Sequence, residues 1–95
     1  MSSRRAQPAP PPKPWRVNAY VNGRSVGFHY EFDKLENISS NPTNVSFTSG
    51  CPYPTLVRCY TEANGGGYMS AANFAANSRE NFNVGAFKSW EVLRR

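Results

Sequence analysis

Residues 20–28 of this 95-residue chain read YVNGRSVGF, and residues 60–68 read YTEANGGGY. In both stretches a tyrosine is followed seven positions later by a glycine and then by an aromatic residue. A repeat of about forty residues in so short a chain predicts two copies of one supersecondary unit, neither able to bury its apolar face alone. We therefore expect one domain built from two packed halves.

Each half has the sequence pattern of a β-hairpin. In the first half, strand-like residues flank the turn pair Asn22-Gly23 across residues 17–32, and in the second half they flank residues 64–66 across residues 55–69. Asparagine and glycine favour such turns because they adopt positive φ angles at low cost. The pattern therefore predicts two antiparallel hairpins.

A strand-like stretch closes each half, at residues 44–48 and 86–93. In the second of these, Trp90 and Val92 fall on the same face of an extended strand. Two units of hairpin plus strand fit an antiparallel β-sandwich of two Greek-key motifs better than a helical bundle. We expect an all-β fold with at most a short helix near residues 70–77, where alanines are frequent.

Three segments of the chain resemble the βγ-crystallin repeat. They are GFHYEF at residues 27–32 after Tyr20, TSGC at residues 48–51, and SWEV at residues 89–92. In that family each Greek-key motif carries an aromatic residue, a glycine seven positions later, and a serine near the last strand that closes over the folded hairpin. The resemblance covers residues 16–93 and implies a single βγ-crystallin-like domain.

The resemblance places motif one at about residues 16–50 and motif two at about residues 51–95. Ser89 holds the serine position of motif two, whereas Asn44 holds it in motif one. The aromatic residue that the family usually has two positions before the glycine is replaced by a small residue in both copies. The two halves have therefore diverged from the family pattern and from each other.

The resemblance also allows a test for calcium binding. Calcium-binding members of the family carry a six-residue segment that begins with two Asn or Asp residues and ends with two hydroxyl residues, and the matching segments here are SSNPTN at 39–44 and VGAFKS at 84–89. Calcium favours oxygen ligands that include carboxylates. Neither segment has a carboxylate, and Lys88 stands where an oxygen ligand is expected. The degenerate positions are Ser39, Ser40, Thr43, Asn44 and Ser89.

We therefore expect the fold without calcium and without any other cofactor. Weak, millimolar calcium binding at the first segment is the alternative, because that segment still offers neutral oxygens. A zinc site is not expected, since two cysteines and one distant histidine fall short of the usual four ligands.

Residues 1–15 differ in composition from the rest of the chain. They contain five of the eight prolines. The bases of this region and the adjacent Arg16 supply four of the five net positive charges. These bases are Arg4, Arg5 and Lys13. Because such a segment cannot form a core, we expect a disordered, polyproline-like arm followed by one domain over residues 16–95.

A basic arm attracts polyanions of many kinds, and the attraction weakens with salt. The predicted polyanion or partner contacts are Arg4, Arg5, Lys13, Arg16, Arg94 and Arg95, the last two on condition that the chain ends lie close together. Two alternatives remain open. The arm is a linker or solubilising leader, or it is a polyproline ligand for an SH3-type groove, for which Arg5, Pro8 and Pro11 have the required spacing.

Cys51 and Cys59 lie on either side of the junction between the two halves. If they lie on neighbouring strands joined by residues 52–54, a disulfide is geometrically feasible, and we predict one. The alternative is a pair of buried free thiols in a reducing compartment.

The compartment stays undecided. A disulfide and the glycosylation-type triplets at Asn37 and Asn44 favour secretion weakly. However, no apolar run follows Arg4-Arg5, so we expect no intact signal peptide, and no stretch is long and apolar enough to predict a membrane span.

The residues do not suggest an enzyme. His29 is the only histidine, and strand alternation places it opposite Phe28 and Tyr30, where we expect it to be solvated or hydrogen-bonded. No nucleophile, base and orienting group can be nominated together. We therefore expect a non-enzymatic protein.

Two functional hypotheses remain. The first is a small monomeric binding domain for a macromolecule, a protein among the candidates, similar to the proteinase inhibitors and antimicrobial toxins among microbial βγ-crystallin-like proteins. Its contact loops would be residues 22–23, 37–43 and 63–67. The second is a structural or stress-related domain selected for durability.

Overall fold

The computed structural model describes residues 15–49 and 51–95, so most of the predicted arm lies outside the described residues. These residues form eight strands and one short 3-10 turn, Ala63–Gly65, which leads towards β6. The strands are β1 (Arg16–Val21), β2 (Arg24–His29), β3 (Glu36–Asn37), β4 (Asn44–Ser49), β5 (Thr55–Tyr60), β6 (Met69–Phe74), β7 (Phe82–Asn83) and β8 (Ser89–Arg94). The all-β prediction is confirmed.

The strands form two four-stranded sheets, ordered β2-β1-β4-β7 and β3-β8-β5-β6. All neighbouring strands are antiparallel. One short strand from each half of the chain pairs with the sheet of the other half: β3 pairs with β8, and β7 pairs with β4. The predicted sandwich is therefore present, and its two halves are interlocked.

The two halves have matching backbone contacts. The carbonyl of Tyr20, near the end of β1, accepts a hydrogen bond from the Thr43 N–H at 3.0 Å, and the carbonyl of Tyr60, at the end of β5, accepts one from the Lys88 N–H at 2.8 Å. Thr43 and Lys88 each directly precede the closing strand of their half. The two repeated tyrosines thus have equivalent settings.

The core lies between the sheets and is shared by both halves. Phe74 of β6 meets Phe47 of β4 edge to face, with ring centroids 4.7 Å apart, and meets Phe82 of β7 at the same distance. Trp15 is only 3% exposed and belongs to this core, so the packed body begins one residue before the predicted boundary. The other buried apolar residues are Val17, Ala19, Val45, Cys51, Val57, Cys59, Ala72, Phe87, Trp90 and Val92.

The prediction of a short helix near residues 70–77 is wrong, because residues 69–74 form strand β6. This strand pairs with β5 at six consecutive positions, from Tyr60 opposite Met69 to Thr55 opposite Phe74. Ala72 and Phe74 are buried while their neighbours are exposed, which is the period-two pattern of a strand. The ladder with β5 and the burial of Phe74 outweigh the helix propensity of the alanines.

Candidate functional site

The two ends of the described chain meet at one end of the sandwich. The Trp15 ring lies 4.7 Å from that of Phe32, and the Phe32 ring lies 6.4 Å from that of Tyr53. The Arg94 guanidinium lies over Tyr53, 3.6 Å from the ring centroid. Because Arg16 directly follows Trp15, Arg16 and Arg94 lie at the same end of the sandwich.

Both arginines lie on exposed aromatic rings. The Arg16 guanidinium is 4.3 Å from the centroid of Phe28, whose ring stacks on that of Tyr30 with centroids 5.8 Å apart. Phe28 is 43% exposed and Tyr53 is 38% exposed. A guanidinium over a ring gains cation–π attraction and keeps its charge accessible. We call Arg16, Phe28, Tyr30, Tyr53 and Arg94 the terminal aromatic surface.

The other predicted polyanion contacts have different outcomes. Arg95 is tied to the body, since its N–H donates to the Pro54 carbonyl at 3.0 Å and its Nη2 donates to the Phe74 carbonyl at 3.4 Å. Arg4, Arg5 and Lys13 lie outside the described residues.

The acidic loop that follows β2 is partly neutralised by its own lysine. The Lys34 Nζ lies 3.3 Å from Glu31 Oε1 and 3.3 Å from Glu36 Oε2. Hydrogen bonds to these two carboxylates raise the pKa of Lys34 above its ordinary value. Lys34 therefore offsets part of the negative charge of Glu31 and Glu36.

His29 is buried between the sheets, which overturns the solvated alternative and leaves the hydrogen-bonded one, through the Trp90 backbone. It is 2% exposed, and its ring packs edge to face on Trp90 with centroids 4.5 Å apart. Its Nε2 lies 3.8 Å from Glu36 Oε1 and has no hydrogen-bond partner among the described residues. Burial lowers the pKa of His29 below 6.5, opposed by the Glu36 charge and a hydrogen bond with the Trp90 backbone. The sequence correctly placed His29 on the strand face opposite Phe28 and Tyr30. It could not show that this face points into the core.

The two calcium-like segments lie against each other. The Lys88 Nζ of the second segment donates to Asn41 Oδ1 of the first at 2.9 Å. In the first segment, Thr43 Oγ1 donates to Asn44 Oδ1 at 2.7 Å, and Asn44 Nδ2 donates to Asn81 Oδ1 at 2.8 Å. Ser39 is exposed and Ser40 is half-buried. Over residues 15–49 and 51–95, no three His, Cys, Asp or Glu side chains come together as a metal site.

Ser89 is fully buried and holds the second hairpin loop, residues 61–68, down against β8. Its Oγ donates to the Glu62 carbonyl at 2.6 Å and accepts from the Gly65 N–H at 2.9 Å. Asn37 of β3 also pairs with Asn64 in this loop, through contacts of 2.8 and 3.0 Å. Ser89 therefore anchors this loop to β8. Its hydroxyl is already engaged inside the protein, both as a donor and as an acceptor.

The predicted disulfide is absent: Cys51 and Cys59 are free and buried. The Cys51 carbonyl accepts from the Asn77 N–H at 2.6 Å, which places Cys51 beyond the end of β5 where Thr55 pairs with Phe74. Cys59 lies four residues further along β5, and a strand advances about 3.3 Å per residue. The two cysteines are thus too far apart to be cross-linked. Burial raises the pKa of Cys59 to about 12, so its thiol stays protonated.

Within the described part of the chain, no helix has the length and apolar character needed to cross a membrane. Comparison of the chain with protein-family models, with curated proteins and with solved structures found no match. The likeness to the βγ-crystallin repeat therefore stays a prediction from the sequence, and function must be argued from the geometry of the site.

Proposed function

We propose that this protein is a non-enzymatic binding domain, built on two βγ-crystallin-like Greek-key motifs, whose partner is an acidic protein surface. The strand order supports the motif assignment, since β4 returns beside β1 after β3 has joined the other sheet, and β8 returns beside β5 after β7 has done so. The equivalent settings of Tyr20 and Tyr60 support the duplication.

The observation that carries the binding proposal is the terminal aromatic surface. Its two guanidinium groups lie on separate exposed rings at the end of the sandwich where the chain ends meet. Arginine and tyrosine dominate the energy of many protein interfaces, because they combine a wide contact area with directed hydrogen bonds. Each guanidinium has five N–H donors in a geometry that fits a carboxylate. An acidic protein surface matches this combination.

The predicted arm adds positive charge close to Arg16 in the sequence. Arg4, Arg5 and Lys13 all precede Trp15 in the chain. Charges grouped in this way speed association with an acidic partner, and the gain falls as salt rises. This supports an electrostatic component in the binding.

The proposal is tested by binding measurements on the full chain. The probes are polyglutamate and a panel of acidic proteins, with heparin and oligo-deoxythymidine as other polyanions, at about 50 and 500 mM salt. The variant is Arg16→Gln with Arg94→Gln, and the matched control is Arg58→Gln with Arg79→Gln, which removes the same charge outside both this surface and the cleft described below.

We expect the surface variant to weaken polyglutamate binding at least tenfold and the control to change it less than threefold. Equal losses of affinity in the two variants would mean that net charge alone drives binding. That result would overturn the terminal aromatic surface as the binding site. Tight binding of oligo-deoxythymidine without protein binding would replace the partner class with a nucleic acid.

A second candidate function is a structural, durable domain. The interlocked sheets favour it, because neither half can unfold without removing a strand from the sheet of the other. A melting temperature above about 90 °C, together with no binding to any probe, is the result that would select this function.

A further inference from the structure

We propose that a cleft beside the first hairpin turn binds a small organic anion, a carboxylate or phosphate monoester with a compact uncharged body. The cleft has a volume of about 420 Å³, within the range of small-molecule sites. It is lined by Val21, Asn22, Arg24, Val26, Ser40 and Asn41. It lies at the opposite end of β1 from Arg16, so it is separate from the terminal aromatic surface.

The charge at the cleft is positive and unpaired. Arg24 is exposed, and none of the residues in 15–49 or 51–95 forms an ion pair, hydrogen bond or ring contact with its guanidinium. No carboxylate lines the cleft. Five N–H donors are therefore available to an acceptor such as a carboxylate or phosphate.

Asn41, which lines the cleft, is held by Lys88 so that it too can donate to a ligand. Its Nζ donates to Asn41 Oδ1 at 2.9 Å, so the acceptor atom of this amide is occupied and its Nδ2 hydrogens remain for a ligand. The lysine also brings a second positive charge next to Asn41, which lines the cleft. The same contact makes the segment a poor calcium site, because the ammonium holds an oxygen that a cation would need.

The walls of the cleft are held in place by the fold. The Ile38 side chain packs over Gly27 of β2, and a Cβ at that glycine would lie 2.7 Å from Ile38 Cδ1. The following loop is fixed at Pro42, whose carbonyl accepts from the Phe87 N–H at 3.1 Å, and at Thr43, bonded to the Tyr20 carbonyl. The cleft is therefore formed before a ligand arrives, which keeps the cost of binding low.

The apolar part of the cleft selects the body of the ligand. Val21 and Val26 are half-buried and supply an apolar surface, while Asn22 and Ser40 supply neutral hydrogen-bonding groups. A single six-membered sugar ring with one acidic group has this mixture of apolar and hydroxyl faces. Glucuronate and glucose 6-phosphate are suitable probes, and glucose is the uncharged control.

The test is a titration of the full chain followed by amide chemical shifts. We expect glucuronate, glucose 6-phosphate or both to give saturable shifts at residues 21–26 and 40–41, and glucose to give none. The acid that binds more tightly identifies the anionic group. Equal shifts with glucose, or no saturable shift with either acid, would overturn the proposal.

Two variants separate the cleft from general charge attraction. Arg24→Gln should weaken binding at least tenfold, and Lys88→Gln should weaken it about threefold, with dispersed amide spectra showing that both variants fold. Arg79→Gln is the matched control, because Arg79 is an exposed arginine outside the cleft, and it should leave the affinity unchanged. Equal losses for Arg24→Gln and Arg79→Gln would rule out a specific site. These outcomes do not depend on Arg16 or Arg94, so the binding domain proposed above is tested separately.

Discussion

The two hairpins begin from the same repeated pattern and end in different loops. The first turns at Asn22 and Gly23, with φ angles of 50° and 80°, which is the geometry of a tight hairpin turn that needs no outside support. The second uses the eight residues between β5 and β6 and is held from outside by Ser89 and Asn37. A short loop is stable through its own turn residues, whereas a long one depends on tertiary anchors.

The largest effect should come from crowding the second loop. Gly67 has a φ of 77°, and a Cβ there would clash with the Thr61 Oγ1 that accepts the Tyr68 N–H. We expect Gly67→Ala to lower the free energy of unfolding by about 3 kcal/mol, from the clash and the positive φ together. Urea denaturation measures this.

Gly23→Ala is the control in the first hairpin. Gly23 has a φ of 80° but open space around its Cα, so the substitution should cost only the backbone term of about 1 kcal/mol. Equal losses at Gly67 and Gly23 would mean that the second loop is no more crowded than the first.

Removing the Ser89 hydroxyl should have the next largest effect on the free energy of unfolding. Ser89→Ala leaves the Glu62 carbonyl and the Gly65 N–H without their partner, which should cost about 2 kcal/mol in unfolding free energy. Asn44→Ala, at the corresponding position of the first half, should cost less than about 1 kcal/mol, because its bonds to Thr43 and Asn81 involve exposed or half-buried side chains. A larger loss at Asn44 than at Ser89 would reverse the comparison between the halves.

The stability of the fold should depend on pH through His29, which ends β2 and packs on Trp90 of the other sheet. Because burial lowers the pKa of His29, the folded state favours the neutral ring and the unfolded state binds the proton more strongly. Stability from this group is present above the unfolded pKa of about 6.5 and is lost as pH falls towards the lower folded pKa.

Melting temperatures between pH 8 and pH 5 measure this effect. His29→Gln should flatten the slope over that range, and it leaves in place the charged groups that face the ring, Glu36, Glu31 and Lys34. A slope that is unchanged in the variant would show that His29 is not the source of the pH dependence.

The smallest expected effect is that of a reductant. Because Cys51 and Cys59 are free thiols, the first lying before the start of β5 and the second near its end, dithiothreitol should leave the melting temperature unchanged within about 1 °C. A drop of several degrees would show that Cys51 and Cys59 are cross-linked after all.

Much of the fold could be predicted from the sequence, because it depends on local chemistry. Asn22-Gly23 favours its turn through the φ angles of two adjacent residues, and the alternation in β8 already placed Trp90 and Val92 on one face of the strand. The tyrosine and glycine repeat predicted two equivalent halves. At the candidate site, the sequence identified Arg16 and Arg94 by charge but not the rings beneath them.

Tertiary structure decided what depends on distant neighbours. Residues 70–74 became a strand through pairing with β5, and His29 became buried when β2 packed across from Trp90. The separation of the cysteines follows from their places relative to β5, and the contact of Lys88 with Asn41 across 47 positions of sequence forms because the two halves pack together. Local dihedral preferences and two-residue periodicity depend on residues that are neighbours in the sequence. The environment of a side chain depends instead on which strand packs against it.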